Sequence, residues 1–221
     1  MTQIKICGLS READIGYVNE ARPDYAGFIL HFPKSRRNLS PEAAAVLRRQ
    51  LSADIRAVGV FVDQTPETVL RAAETIGLDV IQLHSSEDNR YITELRAQTS
   101  LPIWKAFRIR SHSDLAAAAD SAADGILLDN GYGTGAAFDW TLAERFARPF
   151  FLAGGLTPEN IPDAVRALRP QLLDLSSGVE TDGRKDREKI LAAVRAARET
   201  HPADGPAEAM QIKEKTEREN L

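Results

Sequence analysis

Apolar residues in this chain fall into short runs separated by a few tens of residues. The first run, Gln3-Ile4-Lys5-Ile6-Cys7, alternates, so Ile4 and Ile6 share one face while Lys5 and Cys7 share the other, as the two-residue period of a strand requires. Comparable runs follow at 25–30, 56–62, 80–84, 102–107, 125–129, 150–153 and 172–176, and the pattern predicts eight strands. Between them the spacing becomes helical, and three segments open alike: Ser40-Pro41-Glu42, Thr65-Pro66-Glu67 and Thr157-Pro158-Glu159. In each, the hydroxyl accepts an orphan N–H, proline presets φ, and glutamate complements the helix dipole. Gly77 and Pro170 stand where two of these helices should stop.

Strands alternating with amphipathic helices demand crossover connections and a parallel sheet. Eight such units within about 200 residues predict closure into a single-domain (β/α)8 TIM barrel, an α/β fold, over residues 1–200. An open doubly wound sheet is the competitor, but it would show a glycine-rich dinucleotide loop after an early strand, which Gly8-Leu9-Ser10 is not. Residues 201–221 carry Pro202, Gly205 and Pro206 and then alternating charge, and read as a charged, flexible tail outside the barrel.

Composition narrows the setting. Hydrophobic residues make up 43% and charged residues 27%, ordinary for a globular enzyme. A single cysteine, Cys7, excludes an intrachain disulfide and a multi-cysteine zinc cluster, and points to the cytoplasm. No signal-peptide core opens the chain, and no run approaches the roughly 20 apolar residues of a membrane span. The net charge of -4 is spread out except for short basic groups at 34–37 and 184–187, which argues against nucleic-acid binding and for a small anionic ligand held by local cations.

In a barrel of this kind the chemistry lies at the carboxyl ends of the strands. The residues expected there are Cys7, the 34–37 loop, Gln82, His84, Asp129, the Ala153-Gly154-Gly155-Leu156 turn and the Asp174–Gly178 stretch. Gly154, Gly155, Ser177 and Gly178 are phosphate candidates, because small residues let backbone amides approach an anion; one pair alone reads equally as a tight turn, but two pairs at the seventh and eighth strands favour phosphate. Arg36 or Arg37 suits bidentate carboxylate binding, or the two form a solvated surface pair. Gln82 and His84 read equally as interior polar groups and as substrate contacts. Asp129, closing an apolar run, is either a helix cap or a desolvated acid able to keep its proton near neutral pH. The glycine-rich loop after it, 130–135, either closes over substrate or simply connects. Taken alone, Cys7 reads as a small buried hydrophobe.

The ordered motifs change that balance. Lys5-Ile6-Cys7-Gly8, Gly27-Phe28 with Ser35-Arg36-Arg37, Val58-Gly59-Val60-Phe61-Val62, Gln82-Leu83-His84, Leu127-Leu128-Asp129, Gly133-Thr134-Gly135 through Phe138-Asp139-Trp140, Ala153-Gly154-Gly155-Leu156 and Asp174–Glu180 together resemble phosphoribosylanthranilate isomerase, a family of tryptophan biosynthesis. The resemblance spans Lys5 to about Ala197 and implies a (β/α)8 barrel that carries out an Amadori rearrangement without metal or organic cofactor. It assigns Cys7 as general base, Asp129 as general acid, Gly154, Gly155, Ser177 and Gly178 to phosphate, and the anthranilate carboxylate to Arg37. Arg36 stays open for that last role, because the loop, with His31-Phe32 before Pro33, is one residue longer than is common. Gln82, His84, Gly133, Gly135 and Asp174 are implied as further substrate contacts. Tyr132 departs from the glycine more usual in the loop after the sixth strand.

The resemblance further implies a small phosphosugar substrate, no nucleic-acid or membrane partner, and a monomer or homodimer. Two other readings remain: another phosphosugar-converting barrel, a lyase or epimerase that would need a Schiff-base lysine such as Lys5 or Lys105 or a set of metal ligands, and a non-catalytic phosphate-binding module.

Overall fold

In a computed structural model of the chain, which describes residues 2–129, 140–144 and 146–200, the eight apolar runs form eight parallel strands. They are β1 (Gln3–Cys7), β2 (Tyr25–Leu30), β3 (Arg56–Phe61), β4 (Val80–Leu83), β5 (Ile103–Arg108), β6 (Gly125–Asp129), β7 (Phe151–Ala153) and β8 (Leu172–Leu175). Each pairs with the next, and β1 pairs with both β2 and β8, so the sheet closes and has no free barrel edge. The helices between them are α1 (Glu12–Ala21), α2 (Pro41–Gln50), α3 (Pro66–Ile76), α4 (Asn89–Arg96), α5 (His112–Ala119), α6 (Trp140–Ala143) and α7 (Ile161–Leu168), with α8 (Arg187–Glu199) after β8. No helix among the described residues is long and apolar enough to cross a membrane. The tail at 201–221 lies outside the described residues.

The expected helix signals act where the sequence places them, with one exception. Ser40 accepts the Ala43 N–H at 3.2 Å and Thr65 accepts the Thr68 N–H at 3.3 Å, while Gly77 caps α3 with φ 72°. The third start signal does not open its helix. Asn160 accepts the Thr157 N–H through Oδ1 at 2.8 Å and donates to the Gly155 carbonyl, so 157–160 form a turn and α7 begins at Ile161.

Register decides which side chains enter the barrel. Lys5 pairs with Tyr25 and Asp174, Cys7 with Gly27, Gln82 with Val60 and Trp104, and Asp129 with Arg108, which puts these residues on the inner face. The outer face, including Ile4, Ile6, Phe28 and Leu128, packs against the helices in the larger of two apolar clusters. Inside, Tyr25, Val58, Val80, Trp104, Leu127, Phe151 and Leu172 fill the lumen, with the Trp104 ring centroid 4.9 Å from Tyr25 and 4.8 Å from Phe151, edge to face. Above this plug, toward the carboxyl ends of the strands, the inner face turns polar.

Candidate active site

The polar layer starts on β1. Lys5 is 0% exposed, and its Nζ donates to Asp174 Oδ2 on β8 at 2.7 Å. Two residues on, Cys7 faces the same way and is 7% exposed. Across from both lies Gly27, where a Cβ would come within 2.9 Å of Cys7 Sγ and 3.0 Å of Lys5 Cε. That missing side chain is what lets the thiol and the ammonium share one patch of β2. Burial pushes the Cys7 thiol up, Lys5 pulls it down, Asp174 pushes it up again and Lys185 pulls it down; the balance leaves it above the ordinary thiol value. For Lys5 burial opposes the charge, but Asp174 and Cys7 outweigh it and hold the ammonium firmly protonated.

On β6, Asp129 is 6% exposed and lies 3.3 Å from Nε2 of His84, which follows β4. The other ring nitrogen of His84 is 3.3 Å from Gln82 Nε2. The ring therefore stands between the Gln82 amide and the Asp129 carboxyl group. Asp129 and His84 line a cavity of about 220 Å³ together with Ser85, Ser86, Phe107 and Arg108. Lys105 and Glu87 line it too: Lys105 Nζ donates to the Ser85 carbonyl and to Glu87 Oε2 at 3.0 Å, and Glu87 also accepts the backbone N–H groups of Asp63 and Ser85. This buried pair stitches the turns after β3 and β4 to β5.

The arginine loop meets a partner the sequence did not reveal. Glu180, just past β8, accepts from Arg37 Nε and Nη2 at 2.7 Å each, from Arg36 Nη2 at 2.5 Å, and from Lys185 Nζ at 2.7 Å. Burial opposes the Glu180 charge, yet the hydrogen bonds from Arg37 and the charge of Lys185 bring its carboxyl down to about 2. The bond to Glu180 in turn raises Arg37. Arg37 is the inner of the two arginines; its stem lies against Gly8, whose φ of 78° a side chain would strain. Arg36 is 57% exposed and lies outside, over Gly183.

The two small-residue turns come together as expected. Ala153 and Asp174 are partners in the ladder between β7 and β8, so the turns that follow start side by side. Gly154 and Gly155 have φ of 88° and 68°, and a Cβ at Gly178 would overlap the Leu156 carbonyl, so the second turn packs on the first with no room for a side chain. Ser177–Val179 form a single turn of 3₁₀ helix.

Cys7, Asp129, Gln82, His84 and Asp174 thus share one end of the barrel, Arg37 reaches in beside Gly8, and Gly154, Gly155, Ser177 and Gly178 form adjoining turns. Gly133, Gly135 and Tyr132 lie outside the described residues. Sequence reasoning missed the Glu180–Lys185 grip on the arginines, the Lys105–Glu87 pair and the pairing of Lys5 with Asp174. Only the position of Lys5 on the face of Cys7 hinted at the last. Both lysines suited to a Schiff base are committed to carboxylates, which leaves no free amine at the strands for the lyase reading. Among the described residues no three His, Cys, Asp or Glu side chains gather as a metal set.

A closed parallel barrel with a thiol and a carboxyl group buried at the carboxyl ends of its strands, beside adjoining glycine turns, has the layout of a (β/α)8-barrel enzyme. The family model described as N-(5'phosphoribosyl)anthranilate (PRA) isomerase matches residues 4–196, and the chain belongs to that family. It is 42% identical over 219 residues to an N-(5'-phosphoribosyl)anthranilate isomerase of Acetivibrio thermocellus, covering 93% of this chain and 98% of that one. Among solved structures, phosphoribosyl anthranilate isomerase from Thermotoga maritima superposes with a TM-score of 0.82 at 33% identity, covering 90% of this chain and 99% of its own. A phosphoribosyl anthranilate isomerase in complex with reduced 1-(o-carboxyphenylamino)-1-deoxyribulose 5-phosphate matches with a TM-score of 0.80, also at 33% identity and with the same coverage.

Proposed function

We propose that this protein is a phosphoribosylanthranilate isomerase, converting N-(5-phosphoribosyl)anthranilate to 1-(2-carboxyphenylamino)-1-deoxyribulose 5-phosphate in tryptophan biosynthesis, with Asp129 as acid and Cys7 as base. The observation that carries the reading is that the only thiol of the chain and the β6 carboxyl group both face inward at the same end of a barrel of this family. Protonation of the furanose oxygen by Asp129 opens the sugar to an iminium. Cys7 then removes the C2 proton; the C–H electron pair becomes the C1=C2 bond of an enolamine, and the iminium nitrogen takes back its pair. Tautomerisation to the ketone completes the rearrangement. The nitrogen is the electron sink, so side chains suffice for each proton transfer, and each such transfer is worth about 10²–10⁴ in rate.

The remaining groups fit the ends of that substrate. The adjoining turns at Gly154-Gly155 and Ser177-Gly178 suit its phosphate, with backbone N–H groups as donors. Arg37, buried beside Gly8, suits the anthranilate carboxylate better than the exposed Arg36, although Glu180 already takes two of its N–H groups and leaves Nη1 for the ligand. Gln82, His84, Asp174, Gly133 and Gly135 are taken as further contacts to the substrate. A protein whose single thiol does the chemistry suits the reducing cytoplasm, acting there as a monomer or homodimer.

The test is to generate phosphoribosylanthranilate in situ and follow the loss of its anthranilate-type fluorescence. Acceleration by the purified protein is expected, and no acceleration refutes the reading.

A further inference from the structure

We propose that Lys5 is the positioning residue for the base: its ammonium, clamped by Asp174, is the counter-ion that lets Cys7 exist as a thiolate inside the barrel. The inference rests on the reading of Cys7 as the base.

Three features of the geometry support it. Lys5 and Cys7 stand two residues apart on the inner face of β1, and Gly27 opposite has no Cβ, so the Lys5 stem and Sγ lie against the same patch of β2. Lys5 is wholly buried, so no water shell competes with the thiolate for its charge. Asp174 holds Lys5 through Oδ2 alone, while its buried Oδ1 has no hydrogen-bond partner among the described residues. A buried ion pair serving stability alone would be expected to satisfy both oxygens, because an unpartnered one costs desolvation without return. Here Oδ2 fixes Lys5, and Oδ1 is left for the substrate contact given to Asp174 above.

The charges also balance through the reaction. In the reactive form the site holds Asp174 carboxylate, Lys5 ammonium, Cys7 thiolate and a substrate iminium; burial keeps this the minor form near neutral pH, and Lys5 raises its share. Afterwards Sγ carries the C2 proton, the substrate is a neutral enolamine, and Lys5 has exchanged nothing. Asp174 then remains as its counter-ion, so the ammonium keeps its proton while the thiol is neutral. A lysine held this way cannot serve as a nucleophile, because its nitrogen has no free electron pair.

The charged groups facing Sγ are Lys5 from β1, Asp174 from β8, Lys185 from the short antiparallel pair Glu180–Thr181 and Arg184–Lys185 that follows β8 and, more weakly, Arg37 from the loop after β2. Their signs give a test that a merely structural lysine would not pass. Because Cys7 is the only cysteine, the rate of iodoacetamide alkylation of the intact protein as a function of pH reports its ionisation alone. Lys5→Met should move the alkylation midpoint upward by at least about one pH unit, roughly a tenfold loss of thiolate at neutral pH. The rise of kcat with pH should move with it, with little change in KM. Asp174→Asn should move the midpoint the other way, since the carboxylate opposes the thiolate.

If Lys5→Met does not fold because Asp174 is left unpaired, the double variant Lys5→Met/Asp174→Asn removes both charges, and its midpoint should still lie above the parent's. An unchanged midpoint in whichever of these variants folds overturns the proposal, even with an active isomerase. A parent protein with no isomerase activity but with a Lys5-dependent midpoint would instead sink the base role and leave the thiolate assignment standing.

Discussion

Glu180 is the carboxylate on which the arginine loop depends, and replacing it by glutamine isolates its charge with little change of shape. In the folded protein it accepts from Arg37, Arg36 and Lys185 and its carboxyl lies at about 2, against an ordinary value of 4.5. The difference of some 2.5 units, at about 1.4 kcal/mol each, corresponds to roughly 3 kcal/mol of stability near neutral pH. The sign follows from the depressed value. The contribution is fully present above the unfolded carboxyl value and disappears as pH falls from about 4.5 toward 2.

Glu180→Gln should therefore lose about 3 kcal/mol near neutral pH, and up to about 5 because Lys185, almost wholly buried, is left without its counter-charge. For a domain of this size that is a fall in Tm of roughly 6–20 °C. Urea or thermal unfolding measured at several pH values checks both parts. The parent should weaken on acidification through that window, and the variant should show a flatter dependence there. A loss below about 1 kcal/mol near neutral pH, or parallel pH profiles, would refute the assignment of Glu180 as the anchor of the cluster.

Other consequences are as direct. Cys7→Ala and Asp129→Asn should each lower kcat by at least about 10²-fold while leaving product-analogue binding in place, and near-parental turnover in either would remove its assigned role. Arg37→Ala should raise KM more than Arg36→Ala, because Arg37 is the buried member of the pair; steady-state kinetics that rank them in reverse would move the carboxylate to Arg36. Gly27→Ala should cut kcat by about tenfold or more at a stability cost of about 1–3 kcal/mol, since its Cβ would lie 2.9 Å from Sγ and displace the base; unchanged kinetics would show that the thiol does not need that position.

Much of the architecture was legible along the chain. Eight runs with strand period, two hydroxyl–proline helix starts and the Gly77 stop each encode a local backbone preference, and local preferences survive without knowledge of the neighbours. The Thr157-Pro158-Glu159 signal misled by one turn, because the Asn160 side chain satisfies the Thr157 N–H and postpones the helix. Candidate site residues were legible for a related reason: a polar side chain closing an apolar strand is placed at the barrel mouth by strand direction alone.

What the sequence determined by itself is therefore the set of elements, their parallel arrangement and the identity of Cys7 and Asp129 as groups at one end of the barrel. Only tertiary structure decided who neutralises whom. Lys5 meets Asp174 across 169 positions, Arg37 meets Glu180 across 143, and His84 meets Asp129 from two strands away on the barrel wall. Such partnerships depend on the register and closure of the barrel, and the energy of a buried charge depends on what lies within a few ångströms of it. A one-residue slip of β1 against β8 would keep every local signal and turn Lys5 and Cys7 away from the lumen.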